Sequence, residues 1–311
     1  MTAVFEIVLP MFAIILLGYL AARWKVMGAA GIQGLNSFVY NFALPAFLFF
    51  LLARSPILEL FDWRVVITYT AASTGVFLAG LVLVLILFRK PLTEAAVMGG
   101  TSAFSNLGYL GVPLCVQAFG PEAGVPAGIV MMMDNLVIIS AMMMMIEAGA
   151  AGQVRVFQLL RQVGLGILRN PFMIGMLAGV AWSLLSLPLP VPVDRFGTLL
   201  GGAAGPCALF TLGATLYGRP VSDGLGQVGI STVLKLLAMP ALVWFFATKV
   251  AGLSDFHTAI LMTMAALPTG ANIFVVATQY NVAVARASTA VLISTAFAVV
   301  TVSILILKLL G

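Results

Sequence analysis

Two asparagines stand inside otherwise apolar stretches, each in a run that a helix tolerates poorly. The first run is Ser105-Asn106-Leu107-Gly108-Tyr109-Leu110-Gly111-Val112-Pro113. The second is Leu267-Pro268-Thr269-Gly270-Ala271-Asn272. Proline removes a backbone donor, and glycine costs roughly 1 kcal/mol in a helix interior. Each run therefore predicts an interrupted helix. Where a half-helix resumes, its first N–H groups are free and lie at the positive end of the dipole, which suits an anion. Asn106 and Asn272 add side-chain amides that a carboxylate can accept from. The candidate binding set is Asn106, Gly108, Gly111, Pro113, Pro268, Thr269, Gly270 and Asn272. The alternative is a pair of ordinary kinks packed by neighbours. Two such runs, each with an asparagine, favour the binding reading.

A second group carries charge into the apolar stretches. Asp134, followed by Asn135, lies near the middle of its stretch, where an unpaired carboxylate is costly and usually functional. It can bind a coupling proton or cation, or hold a neighbouring donor. Lys235 lies about 12 Å into its stretch at 1.5 Å per residue. It can attract an anion, pair with Asp134, or extend its ammonium to the membrane surface. Other chemistry is poorly supplied. His257 is the single histidine, so a histidine-based metal centre or a Ser-His-Asp triad is not expected. Cys115 and Cys207 make neither a disulfide framework nor a metal site. The methionine runs 131–133 and 142–145 read as soft packing surface rather than copper ligands. No cofactor, metal or enzyme activity is expected.

The elements that position these residues follow from composition. Of 311 residues, 62% are hydrophobic and only 8% charged, with a mean hydropathy of +1.15. A soluble fold could not hide that much apolar surface. Disorder, a secreted disulfide scaffold and nucleic-acid binding are excluded on the same ground. A bilayer-spanning helix needs about 20 apolar residues. Ten stretches qualify: 4–22, 35–53, 63–88, 94–118, 123–147, 168–187, 196–218, 227–250, 256–280 and 285–309. The expected fold class is an all-α membrane protein. No positive segment precedes the first stretch, so it reads as a retained helix rather than a signal peptide.

Basic residues set the orientation. Arg23, Lys25, Arg89, Lys90, Arg155, Arg161, Arg169, Arg219 and Arg286 follow odd-numbered stretches. Arg54, Arg64, Arg195, Lys249 and Lys308 lie on the other side. The bias places the first group in the cytoplasm and both termini outside. The net charge of +5 is read as part of this bias.

The chain also divides into similar halves: a first repeat at 1–147, a cytoplasmic linker at 148–169 and a second repeat at 170–311. Leu44-Pro45-Ala46-Phe47-Leu48-Phe49 corresponds to Gly205-Pro206-Cys207-Ala208-Leu209-Phe210, and Asn106 to Asn272. Five stretches per half make the second half enter from the opposite face. That is an inverted repeat with broken stretches four and nine, the plan of many secondary transporters.

These residues resemble the auxin efflux carrier family, which includes bacterial members described as malonate or organic-acid transporters. The likeness runs through Leu9-Pro10-Met11-Phe12, Leu17-Gly18-Tyr19, Asn36, Phe38-Val39 and Leu44-Pro45-Ala46-Phe47-Leu48-Phe49. It continues in Ser105–Leu114, ending Gly-x-Pro-Leu, and in Lys235-Leu236-Leu237-Ala238-Met239-Pro240. It closes with Leu267-Pro268-Thr269-Gly270, Gln279-Tyr280-Asn281-Val282 and Ser288-Thr289-Ala290-Val291. The resemblance implies a ten-helix fold similar to bile acid/sodium symporters. It implies a scaffold of helices 1, 2, 6 and 7, often dimeric, and a mobile transport unit of helices 3–5 and 8–10. It also implies location in a bacterial inner membrane. Plant carriers have a long central loop and an acid–lysine pair in helix three, and this chain has neither.

The combined expectation is a secondary transporter or facilitator of a small organic anion, working by elevator-type alternating access. Asp134, Asn135 and Lys235 are the candidate coupling residues, with a proton or sodium as the ion. The rivals are a sodium symporter of the bile acid type and a non-transporting receptor or channel. The expected partners are the anion, the lipid bilayer and a second copy of the chain.

Overall fold

The computed structural model describes residues 6, 8–151, 170–218 and 224–310. Arg155, Arg161, Arg169 and Arg219, with most of the expected linker, lie outside the described residues. The described elements are helical, joined by short turns. They are α1 (Leu9–Arg23), α2 (Ala29–Ala53), α3 (Trp63–Leu87), α4 (Leu92–Ala103), α5 (Leu107–Phe119) and α6 (Pro121–Ala150). After the linker come α7 (Pro171–Leu184), α8 (Val191–Leu216), α9 (Leu225–Val250), α10 (Asp255–Ala266), α11 (Asn272–Gln279) and α12 (Val284–Leu310).

Six of these, α2, α3, α6, α8, α9 and α12, are long and apolar enough to cross a bilayer. The shorter apolar helices are α1, α5 and α7. Stretches four and nine are each split in two, as their proline and glycine content predicts. The remaining helix starts follow local rules. Asp62 accepts from the Arg64 amide at 2.8 Å to cap α3, Asn170 accepts from the Phe172 amide at 2.9 Å to cap α7, and Ser254 caps α10.

Proline inside a spanning helix clashes with the carbonyl four residues back. The chain answers with widened π-type turns. They occur at Val39–Ala43, Leu107–Gly111 and Leu234–Ala238, and each is followed two residues later by Pro45, Pro113 or Pro240. The wide turn moves the offending carbonyl aside while the helix continues. Two further wide turns have no proline after them: Asn135–Ile139, directly after Asp134, and Phe246–Val250, at the end of α9.

Packing gathers the helices into two sets. In the first, α1 lies along the second half of α8, and α2 lies along α7. These contacts bring backbone against backbone. A Cβ added at Gly18 would run into the Phe210 carbonyl, and one at Gly213 into the Ile15 carbonyl. On the other pair, Gly175 and Gly179 meet the Pro45 and Phe49 carbonyls. Small residues at these points allow close helix approach, a common device in lipid. In the second set, α3 packs on α4, α4 on α6, and α9 on α10 and α12.

Substituting Gly213 by Val should force the α1–α8 pair apart. A loss of about 1–3 kcal/mol is expected, read as a lowered melting temperature in detergent. Gly229→Ala, where an added Cβ meets nothing within 4 Å, should leave it unchanged or slightly raised.

Candidate functional site: the crossing and its cavity

Helix α4 ends at Ala103 and α10 at Ala266. Between these ends and the resuming α5 and α11, the two chain segments cross. A broken helix leaves amides and carbonyls bare, and hydrocarbon cannot satisfy them. Here the two breaks satisfy each other. Ser105 and Thr269 form an antiparallel β-bridge. The Asn106 amide donates to the Pro268 carbonyl at 2.9 Å, and the Gly270 amide donates to the Phe104 carbonyl at 3.0 Å.

The two central amides point outward from this bridge and find side-chain acceptors. Ser105 N–H donates to Asp134 Oδ2 at 3.3 Å, from α6. Thr269 N–H donates to Ser294 Oγ at 3.1 Å, from α12. The Tyr69 and Ser105 hydroxyls lie 3.0 Å apart, and Thr269 Oγ1 donates to the Thr101 carbonyl at 2.8 Å. Lys235 Nζ donates to the Ala265 carbonyl at 2.7 Å, where α10 is about to end. A cation suits the negative end of a helix. Lys235 is fully buried, so its ammonium does not reach the membrane surface.

Two buried polar atoms are left over. Asp134 Oδ1 and Asn106 Nδ2 have no hydrogen-bond partner. Asp134 is in none of the ion pairs among the described residues; these join Arg54 to Asp194, Arg64 to Asp62, and Lys90 and Arg286 to Glu94.

Beside the crossing lie two spaces. One is a small pocket of about 20 Å³ enclosed by 104–109, Met131, Asn135, Phe172 and 270–272. The other is a cavity of about 770 Å³ between the two helix sets. Tyr109, Asn135, Ala271 and Asn272 line both. The large cavity has amides from Asn36, Asn135, Asn170, Asn272 and Gln279, and hydroxyls from tyrosines, threonines and Ser140. No charged side chain lines it among the described residues. Such a wall recognises an anion by hydrogen bonds and helix-end amides rather than by a counter-ion. No side-chain cap occupies the N-terminus of α11, which begins at the cavity.

The expected site residues divide by place. Asn106, Gly108, Gly270, Asn272 and Asn135 line a pocket or the cavity. Asn272 Nδ2 approaches Asn135 Oδ1 at 3.5 Å. Pro268 and Thr269 serve the crossing through the bonds above. Asp134 and Lys235 also serve the crossing and line neither space. Gly111 packs on Leu267 and Met264, and Pro113 continues α5 after its wide turn; both lie outside the two spaces. The bridge fixes which residues of the two breaks face each other. With Ser105 opposite Thr269 in antiparallel pairing, Asn106 faces Pro268 and Phe104 faces Gly270, and Asn272 lies outside the paired segment. Sequence reasoning passed over Tyr40, Tyr109 and Thr211 in the cavity wall. Tyr109 sits in the quoted motif, but an aromatic side chain in an apolar stretch carries no signal of its own.

The family model described as membrane transport protein matches residues 3–306. The chain belongs to this family, that of the auxin efflux carriers. One relative is a Rhizobium meliloti (strain 1021) protein named "Putative malonate transporter", 36% identical over 97% of this chain and 95% of that one. Another is auxin efflux carrier component 3a of Oryza sativa subsp. japonica, 33% identical over 40% of this chain and 21% of that one. A third is the lysosomal cholesterol signaling protein of Mus musculus, 28% identical over 94% of this chain but 36% of its own length. With its apolar helices, the chain is an integral membrane protein of a transporter family.

The bridge amides make a sharp stability test. Ser294→Ala strands the buried Thr269 N–H and should cost about 1–3 kcal/mol. Thr258→Val removes a hydroxyl that already lacks a partner, so its melting temperature should stay near the parent value.

Proposed function

We propose that this protein is a secondary transporter of a small organic anion, a short carboxylate, by alternating access. The observation that carries this reading is the cavity, whose described lining holds five side-chain amides and no charge, opening directly beside two interrupted helices. Interrupted helices that meet inside a membrane protein are a sequence and structural mark of transporter sites. The carboxylate would be held by Asn106, Asn272, Asn135 and the first amides of α11. The relative named for malonate supports a short dicarboxylate, and makes malonate the first probe.

The moving body in this reading is α3–α6 with α9–α12, sliding against α1, α2, α7 and α8. An inverted repeat is supported by one detail of packing. A single residue offset converts the Gly18–Phe210 contact into the Gly179–Phe49 contact. An α1–α8 contact thereby maps onto an α7–α2 contact, as a two-fold relation requires. Asp134, with a spare oxygen behind the crossing, is the coupling group, and a proton is the ion. Sodium is disfavoured because the Lys235 ammonium already occupies a half-helix carbonyl of the kind sodium would use.

Labelled malonate uptake into proteoliposomes tests the reading, with saturable uptake expected. If no short carboxylate is taken up saturably, with or without a pH gradient, the proposal fails. Asn106→Ala and Asn272→Ala should each weaken malonate binding about 10-fold or more, as loss of a hydrogen bond to a charged group does. Asp134→Asn should remove the pH-gradient dependence of uptake; an unaltered dependence would discharge Asp134 from coupling.

A further inference from the structure

The two helix sets are each tied internally by polar bonds. Arg54 joins α2 to Asp194 and Thr198 of α8, and Ser183 of α7 donates to the Ser55 carbonyl beyond α2. In the other set, Lys235 joins α9 to α10, Arg286 joins α12 to Glu94 of α4, and Asn272 joins α11 to α6. A side-chain hydrogen bond spans the two sets. Tyr109 of α5 donates its hydroxyl proton to Asn36 Oδ1 of α2 at 2.9 Å. Both residues line the large cavity. The Tyr109 ring also rests edge-on against Phe172 of α7, with centroids 6.3 Å apart.

The opposite end of the same boundary is sealed by close packing. Gly124 of α6 fits against the Leu51 side chain, and Gly128 against Met176 and Leu52. Both glycines are buried. The apolar seal has no directional bond, whereas the cavity end has one, in the wall that a ligand would touch.

We infer that Tyr109 and Asn36 form a ligand-sensing latch that holds the cavity-open arrangement. A carboxylate in the cavity accepts the Tyr109 proton in place of Asn36, and so frees the two sets to slide. This rests on the transport reading above for its ligand, though the latch itself can be measured without one. The phenol must lose its Asn36 partner in any state where α5 moves past α2. A bound acceptor supplies a replacement partner, so an empty carrier stays put and a loaded one moves. An anion whose carboxylate cannot reach both the crossing amides and Tyr109 binds without releasing the latch. The pair thereby selects by length as well as by charge.

The experiment places a cysteine at Gly128 and follows its alkylation by a water-soluble maleimide in detergent, read at peptide level by mass spectrometry. Its rate reports the fraction of molecules with the seal open. Loss of one neutral hydrogen bond shifts such an equilibrium about 5-fold. Tyr109→Phe, which keeps the ring on Phe172, should raise the rate about 5-fold. Asn36→Ala should do the same, and the double variant should exceed neither, because both remove one bond. Malonate should raise the rate in the parent and raise it less in Tyr109→Phe. Equal rates in parent and Tyr109→Phe, or fully additive single effects, overturn the latch. Should malonate uptake fail while the Tyr109→Phe effect holds, the latch stands and the substrate assignment falls. Should uptake succeed with labelling flat, the latch alone is refuted.

Discussion

A peptide group at the centre of a bilayer must find a partner inside the protein, and the structure turns on that requirement. Two helices stop within the apolar body of the chain, and four backbone groups near each stop lose their helical partners. The Ser105–Thr269 bridge restores two of those bonds between the breaks. The side chains of Asp134 and Ser294 receive the amides that point away from it. A fold that left these groups bare would lose several kcal/mol for each. Crossing the two interruptions at one point is thus the economical way to have interruptions at all. It also sets two half-helix starts, α5 and α11, beside the same space.

Among the described residues, buried charge is arranged around that point and not in the cavity wall. Lys235 caps the end of α10, and Asp134 receives the Ser105 amide, both behind the bridge. The cavity itself is walled by amides, hydroxyls, aromatic rings and aliphatic side chains. A fixed cation in the wall would bind an anion tightly in every state and hinder release. Neutral donors would make binding depend on geometry, which differs between the states of the proposed alternating access. The division puts charge where it stabilises structure and hydrogen-bond donors where a ligand would come and go.

Glycines set how closely the helices meet within each set. Within the first, glycines let carbonyl oxygens of one helix approach the backbone of the next, leaving no slack for sliding. Between the sets lie a cavity and a seal in which Gly124 and Gly128 meet Leu51, Leu52 and Met176 side chains. Wide turns before Pro45, Pro113 and Pro240 preserve helix direction despite the prolines. The interruptions are therefore confined to the crossing instead of spreading along each helix.

The apolar content of the chain determined its class, because no water-soluble fold of this length could bury such a composition. Proline and glycine spacing located both interruptions, since backbone groups and ring sterics act within a few residues of themselves. The pairing partner of each break was beyond that reach. Nothing along the chain told that Asn106 would face Pro268 and Phe104 would face Gly270, because hydrogen-bond geometry across the crossing sets the match. Lys235 was equally suited by sequence to the surface or the interior; only the nearby Ala265 carbonyl, brought by α10, decided for the interior. Tyr109 and Asn36, far apart in the chain, gave no sign of their bond. Local covalent chemistry is written residue by residue, whereas contacts between distant segments exist only once packing has brought them together.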